Sequence, residues 1–78
     1  MIGKINLYPN PVKDFLFING IADIIDLNSI EIVSAVGKSV LKIEIAKEEI
    51  NVSKLAPGFY FLNITHRKEI ESIKFIKR

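Results

Sequence analysis

Apolar residues in this chain recur mainly at every second position, in short runs broken by glycine, proline or polar clusters. Phe59 to Thr65 is the clearest run: Tyr60, Leu62 and Ile64 fall in one phase, Phe59 and Phe61 in the other. A period of two is the mark of a strand, whose side chains point to opposite faces in turn. Asp14 to Asn19 repeats it, with Leu16 and Ile18 in phase, and closes on Asn19-Gly20. Ser29 to Ala35 puts Ile30 and Ile32 in phase, Gly37-Lys38 turns the chain, and Ser39 to Ala46 returns with Leu41, Ile43 and Ile45 in phase. Those two runs read as a hairpin. Ile50 to Ser53 is a short strand, Lys54 to Gly58 a turn with Pro57-Gly58 at its tip, and Ile70 to Ile76 a last strand after the polar turn His66 to Glu69. Ile21 to Asn28 fits a short strand or an ordered loop equally well. Ala46 to Glu49 favours helix but is too short to nucleate one. Six or seven short strands, with turn signals about every ten residues, predict an antiparallel sandwich or barrel.

Composition supports that reading. Isoleucine alone accounts for 15 of the 78 residues, alanine is scarce and methionine single, so strand formers outweigh helix formers. At this length one domain is the limit. There is no cysteine for a disulfide, and one histidine cannot build a zinc site, so the core must be dense or the domain must lean on a partner or parent chain. The net charge of +2 comes from eleven basic and nine acidic residues that look interspersed, which gives weak steering and argues against a nucleic-acid partner. No apolar run approaches the ~18 residues needed to span a bilayer, so membrane insertion is not expected. Met1 to Pro11 lacks the apolar stretch of a secretory signal.

Candidate chemistry is sparse. His66 lies in a predicted turn beside Arg67 and Lys68 without a serine or acidic partner, and is expected to be a solvated turn residue, not a base. Asp14, Asp23 and Asp26 are scattered, so no carboxylate pair or metal spacing emerges and an enzyme is not expected. Gly58-Phe59-Tyr60-Phe61 resembles a fragment of an RNA-recognition strand but lacks its leading basic residue and second small residue, and the chain lacks both helices of that fold. Tyr8-Pro9-Asn10-Pro11 cannot be helical; its prolines are expected to hold an extended, rigid lead-in to the first full strand, with Asn10 free to cap a turn. Gly37 and Gly58 are expected at turn positions with positive φ.

Taken in order, these motifs resemble the C-terminal sorting domain of type IX secretion cargo. Leu7-Tyr8-Pro9-Asn10-Pro11-Val12 with Asp14, Leu16 and Ile18 is similar to its opening. Ile30-Glu31-Ile32 running to Val36-Gly37-Lys38 and Val40 is similar to its central hairpin. Ile50-Asn51-Val52-Ser53, Leu55, Gly58-Phe59-Tyr60 and Leu62 resemble its strand, turn and Gly-x-Tyr signature, and Lys74-Phe75-Ile76-Lys77 its basic, apolar end. The match runs from about Leu7 to Lys77, as four motifs in order. It implies an all-β, immunoglobulin-like antiparallel sandwich of about seven strands, forming one domain over residues 1–78 at the C-terminus of a larger secreted protein. It further implies a non-catalytic address without cofactors, recognised at the bacterial outer membrane by the type IX translocon, with a shuttle protein and a sortase-like peptidase as further partners. The parent would cross the periplasm and reach the cell surface or the exterior, with cleavage and surface anchoring in some cargos. On this reading the recognition residues are Tyr8, Pro9, Asn10, Pro11, Gly37, Lys38, Gly58, Tyr60, Lys74 and Lys77.

Two expectations remain open in the sequence. If Leu16, Ile18, Tyr60, Leu62 and Ile64 face the core, then Phe15, Phe17, Phe59 and Phe61 face outward, as a homodimer or docking patch unless a loop such as Ile21 to Asn28 covers them. Lys74, Lys77 and Arg78 serve either as edge-strand charges that prevent aggregation or as part of the recognised terminus. A β-sandwich adhesion or binding module for carbohydrate or protein is the alternative function. It would be expected to be rich in Trp, Tyr, Asn and Asp, and this chain has no tryptophan and two tyrosines.

Overall fold

The computed structural model describes residues 5–20, 27–43, 48–66 and 68–78. Seven strands follow one another: β1 (Asn6–Tyr8), β2 (Phe15–Asn19), β3 (Leu27–Ser34), β4 (Ser39–Ile43), β5 (Glu49–Asn51), β6 (Gly58–His66) and β7 (Glu69–Lys77). They form two sheets, β1-β2-β5 and β4-β3-β6-β7, with every strand pair antiparallel. The chain changes sheet between β2 and β3, between β4 and β5, and between β5 and β6. Pairing β2 with β5 in one sheet and β3 with β6 in the other interlocks the two layers in the immunoglobulin manner.

Alternation decides which side chains meet between the layers. Leu16 and Ile18 of β2, Ile30 and Ile32 of β3, Ile50 of β5, Tyr60, Leu62 and Ile64 of β6, and Phe75 of β7 are all buried, joined by Val12 and Val52 from the connections. A purely aliphatic and aromatic layer of this kind needs no cross-link: each buried Leu, Ile or Phe side chain contributes about 1.5–3 kcal/mol over its exposed state. The molecule is 31 Å in its longest dimension. That matches a nine-residue strand at roughly 3.3 Å per residue, so the β6–β7 hairpin sets the length.

Several local expectations change. β1 is a strand that the sequence did not announce, because three residues are too few to alternate and its pairing partner is supplied by β2, with Leu7 opposite Ile18. Pro9 to Pro11 does not continue extended; both prolyl peptides are cis and the segment bends. The last turn is shorter than predicted, since His66 still pairs with Glu69. His66 is not a solvated side chain either, as both ring nitrogens are shielded from water with no hydrogen-bond partner among the described residues. The β3 strand begins at Leu27, so part of the ambiguous Ile21 to Asn28 stretch is strand, while residues 21–26 lie outside the described residues. The strand predicted to Ala46 is described as far as Ile43; residues 44–47, and with them Ala46 and Lys47 of the helix-friendly stretch, also lie outside, while Glu49 begins β5.

Candidate functional site

Antiparallel order carries the motif residues to one end of the sandwich. Gly58 at the start of β6 faces Lys77 at the end of β7, and Tyr60 is flanked by Phe75 and by Ser34 at the end of β3. The β3–β4 connection with Gly37 and Lys38 therefore caps the same end, as do the β1–β2 and β5–β6 connections. Lys74 lies just inside it, opposite Phe61.

Three local devices shape this end. The first joins segments far apart in the chain. Past the bend at Pro9-Asn10-Pro11, Val12 forms a parallel bridge with Lys77. The Val12 N–H donates to the Ile76 carbonyl at 2.8 Å, and the Arg78 N–H donates to the Val12 carbonyl at 2.8 Å. Asn10 Oδ1 accepts from the Ile76 N–H at 2.9 Å. Asn10 thus caps the outer edge of β7, not a turn of its own, and satisfies a backbone donor that the sheet leaves unpaired.

The second device is a tyrosine corner. Tyr60, near the start of β6, is 7% exposed, and its hydroxyl donates to the Ala56 carbonyl at 2.6 Å. Its ring stacks on Phe75 with centroids 5.7 Å apart. This corner contact, from the first turns of β6 back to the preceding loop, is a hallmark of immunoglobulin-like sandwiches. Tyr60 consequently fixes the β5–β6 connection from inside the fold.

The third is the β3–β4 hairpin. Ser34 N–H donates to the Lys38 carbonyl, Gly37 N–H to the Ser34 carbonyl, and Lys38 N–H to Ser34 Oγ. The loop is therefore Ala35-Val36-Gly37, with Lys38 already in the closing pair. Gly37 has φ of +86°, the left-handed position such three-residue loops require. Nothing lies within 4 Å of where its Cβ would be, so backbone conformation and not space calls for glycine.

Electrostatics at this end differ from residue to residue. Lys77 is buried, and its ammonium donates to the Arg78 carbonyl at 2.8 Å. Lys74 is exposed with its ammonium 4.3 Å from the centroid of the Phe59 ring, a cation–π contact across the hairpin. Tyr8 stacks on Phe17 at 5.4 Å, which leaves Phe17 half-buried. The four outward phenylalanines do not share a face. Phe15 and Phe17 lie on the outer side of β1-β2-β5, Phe59 and Phe61 on the outer side of the other sheet. Phe15 and Phe59 are exposed, Phe17 and Phe61 half-buried.

Sequence reasoning missed Val12 and Ser34 as site-builders. Ser34, three residues before Gly37, could have been found by its spacing; Val12 could not, because its partners lie at the other end of the chain. Among the described residues no group of three His, Cys, Asp or Glu side chains could hold a metal ion.

Fold and site together define a small immunoglobulin-like β-sandwich module whose signature residues are gathered at one end. A family model described as a secretion system C-terminal sorting domain matches residues 6–78. The chain belongs to that family, the C-terminal sorting domains of type IX secretion. No curated protein matches it. The role of such a domain is to direct export through the type IX machinery, to the cell surface or beyond.

Proposed function

We propose that the folded domain is read as a surface by the type IX outer-membrane translocon, and that the surface is the end built by Asn10, Val12, the Gly37 hairpin, the Tyr60 corner and the close of β7. The observation that carries this reading is the clamp between Asn10-Val12 and Ile76-Arg78, which joins the opening and closing motifs. If each motif were recognised as a linear peptide, holding residues 66 apart in sequence together would add nothing to recognition. On the same reading a shuttle protein and a sortase-like peptidase are further partners, the peptidase removing the domain in those cargos that are anchored to the surface. No catalytic role falls to the domain itself.

Two kinds of residue divide the task. Tyr60, Gly37 and buried Lys77 hold the surface in shape, and Pro9, Pro11, Lys38, Gly58 and Lys74 are exposed upon it. A fusion of the domain to a reporter bearing an N-terminal export signal tests the proposal. Reporter outside the cell is the expected result, and reporter held in the periplasm would contradict it.

A further inference from the structure

Charges of both signs are spread along the sequence, but among the described residues they are sorted in space. Among the described residues, the motif end carries Lys13, Lys38, Lys54, Lys74, Lys77 and Arg78 against one acid, Asp14. Toward the other end lie Glu31, Glu48, Glu49, Glu69 and Glu71 against Lys42 and Lys68. Strand order produces this separation. Lys13, Lys38 and Lys54 sit on three different connections that antiparallel pairing delivers to the same end, whereas Glu48-Glu49 leads into β5 from the opposite end and Glu69 begins β7 there. Among the described residues the charges therefore form a dipole along the long axis. With a long axis of 31 Å, the two ends are separated by several times the ~8 Å screening length at physiological salt, so a partner at one end experiences little of the other.

Lys13, Lys38, Lys54, Lys74 and Arg78 are exposed, while Lys77 is buried and engaged with the Arg78 carbonyl. Apolar side chains stand among them: Val36 is 89% exposed at the hairpin tip, and Phe59 and Ile76 are exposed side by side on β6 and β7. An apolar centre with a charged rim is the anatomy of a protein interface. A lipid surface would need more apolar area at the tip than a single valine.

We propose that this end docks onto a carboxylate-bearing protein surface of the type IX machinery, with the lysine rim orienting the approach and Val36, Phe59 and Ile76 making the apolar contact. The inference rests on the sorting reading above and names the chemistry of its partner. A net positive charge at one end would present that end first to an acidic surface and raise the rate of productive encounter.

Two double variants with identical net-charge change, Lys38→Glu with Lys54→Glu and Lys42→Glu with Lys68→Glu, are compared in the reporter fusion. The first is expected to lower export about tenfold or more, the second to leave it within about twofold. Equal export, or equal loss, from the two would overturn the proposal. Thermal melting establishes that each is folded. Should the first not fold, Lys38→Gln with Lys54→Gln takes its place, with a several-fold loss expected and unchanged export overturning the idea. Flotation with phosphatidylglycerol vesicles is the second arm. No binding at physiological salt is expected; binding that Lys38→Glu with Lys54→Glu abolishes would reassign the end to a membrane. Wild-type reporter retained in the periplasm would remove the sorting reading and this inference with it, a result distinct from selective loss in one variant.

Discussion

The two ends of the sandwich are built by different means. Among the described residues of the far end, β6 and β7 continue in register to His66 and Glu69, joined there by regular backbone pairing. At the motif end the backbone is irregular and is held by individual side chains: Asn10 on the edge of β7, Ser34 across the hairpin, Asn51 accepting from Ser53 N–H, and Tyr60 on Ala56. Regular pairing can be maintained by many sequences, whereas one Oδ1 aimed at one N–H depends on a single residue. The contrast explains why recognisable motifs gather at one end, where the backbone depends on particular residues.

Core substitutions test whether the two ends share one stability. Phe75 at the motif end and Ile64 toward the far end are both fully buried. Phe75→Ala is expected to cost about 3–5 kcal/mol and Ile64→Ala about 2–5 kcal/mol. Either approaches the whole stability of a small domain, so both should unfold together in a single denaturant transition. Two separate transitions would show that the ends are independent. Tyr60→Phe keeps the ring stack and removes only the hydroxyl, at a cost of about 1 kcal/mol read as a lower denaturation midpoint with unchanged slope. No change would mean that the corner bond contributes nothing. Asn10→Ala should cost still less, about 0.5–1 kcal/mol, because the site is exposed and water can replace the lost acceptor. Its larger effect should be faster amide exchange at Ile76 with Ile64 unaltered, and equal protection in both proteins would show that Asn10 does not guard the edge.

Much of the fold was legible because alternation is local. The phases of Leu16-Ile18, Ile30-Ile32 and Tyr60-Leu62-Ile64 give the core directly, and the phenylalanines between them follow to the outside. What could not be read was set by partners distant in the chain. Nothing in Asn10 or Val12 specifies that Ile76 and Arg78 will meet them, and β1 is a strand only because β2 lies beside it. The charges were misleading for the same reason: interspersed along the sequence, those on the described residues are segregated once antiparallel strands send alternate connections to opposite ends. The outward phenylalanines met a further limit, since period-two alternation gives the face of a strand but not which sheet that strand joins. Phe15 and Phe59, once candidates for one patch, lie on opposite outer surfaces, so a dimer through either pair would bury only half of the set.

If the motif end is recognised as proposed, export depends on its shape. Equal insertions of three glycines, one after Gly37 in the β3–β4 loop and one after Lys68 in the β6–β7 turn, place the same perturbation at each end. Exposed turns absorb such insertions at little cost, since loop-closure entropy grows slowly with length. With thermal melts confirming that both proteins fold, export is expected to be lost for the insertion after Gly37 and retained for the insertion after Lys68. Export retained by the first and lost by the second would contradict the proposal.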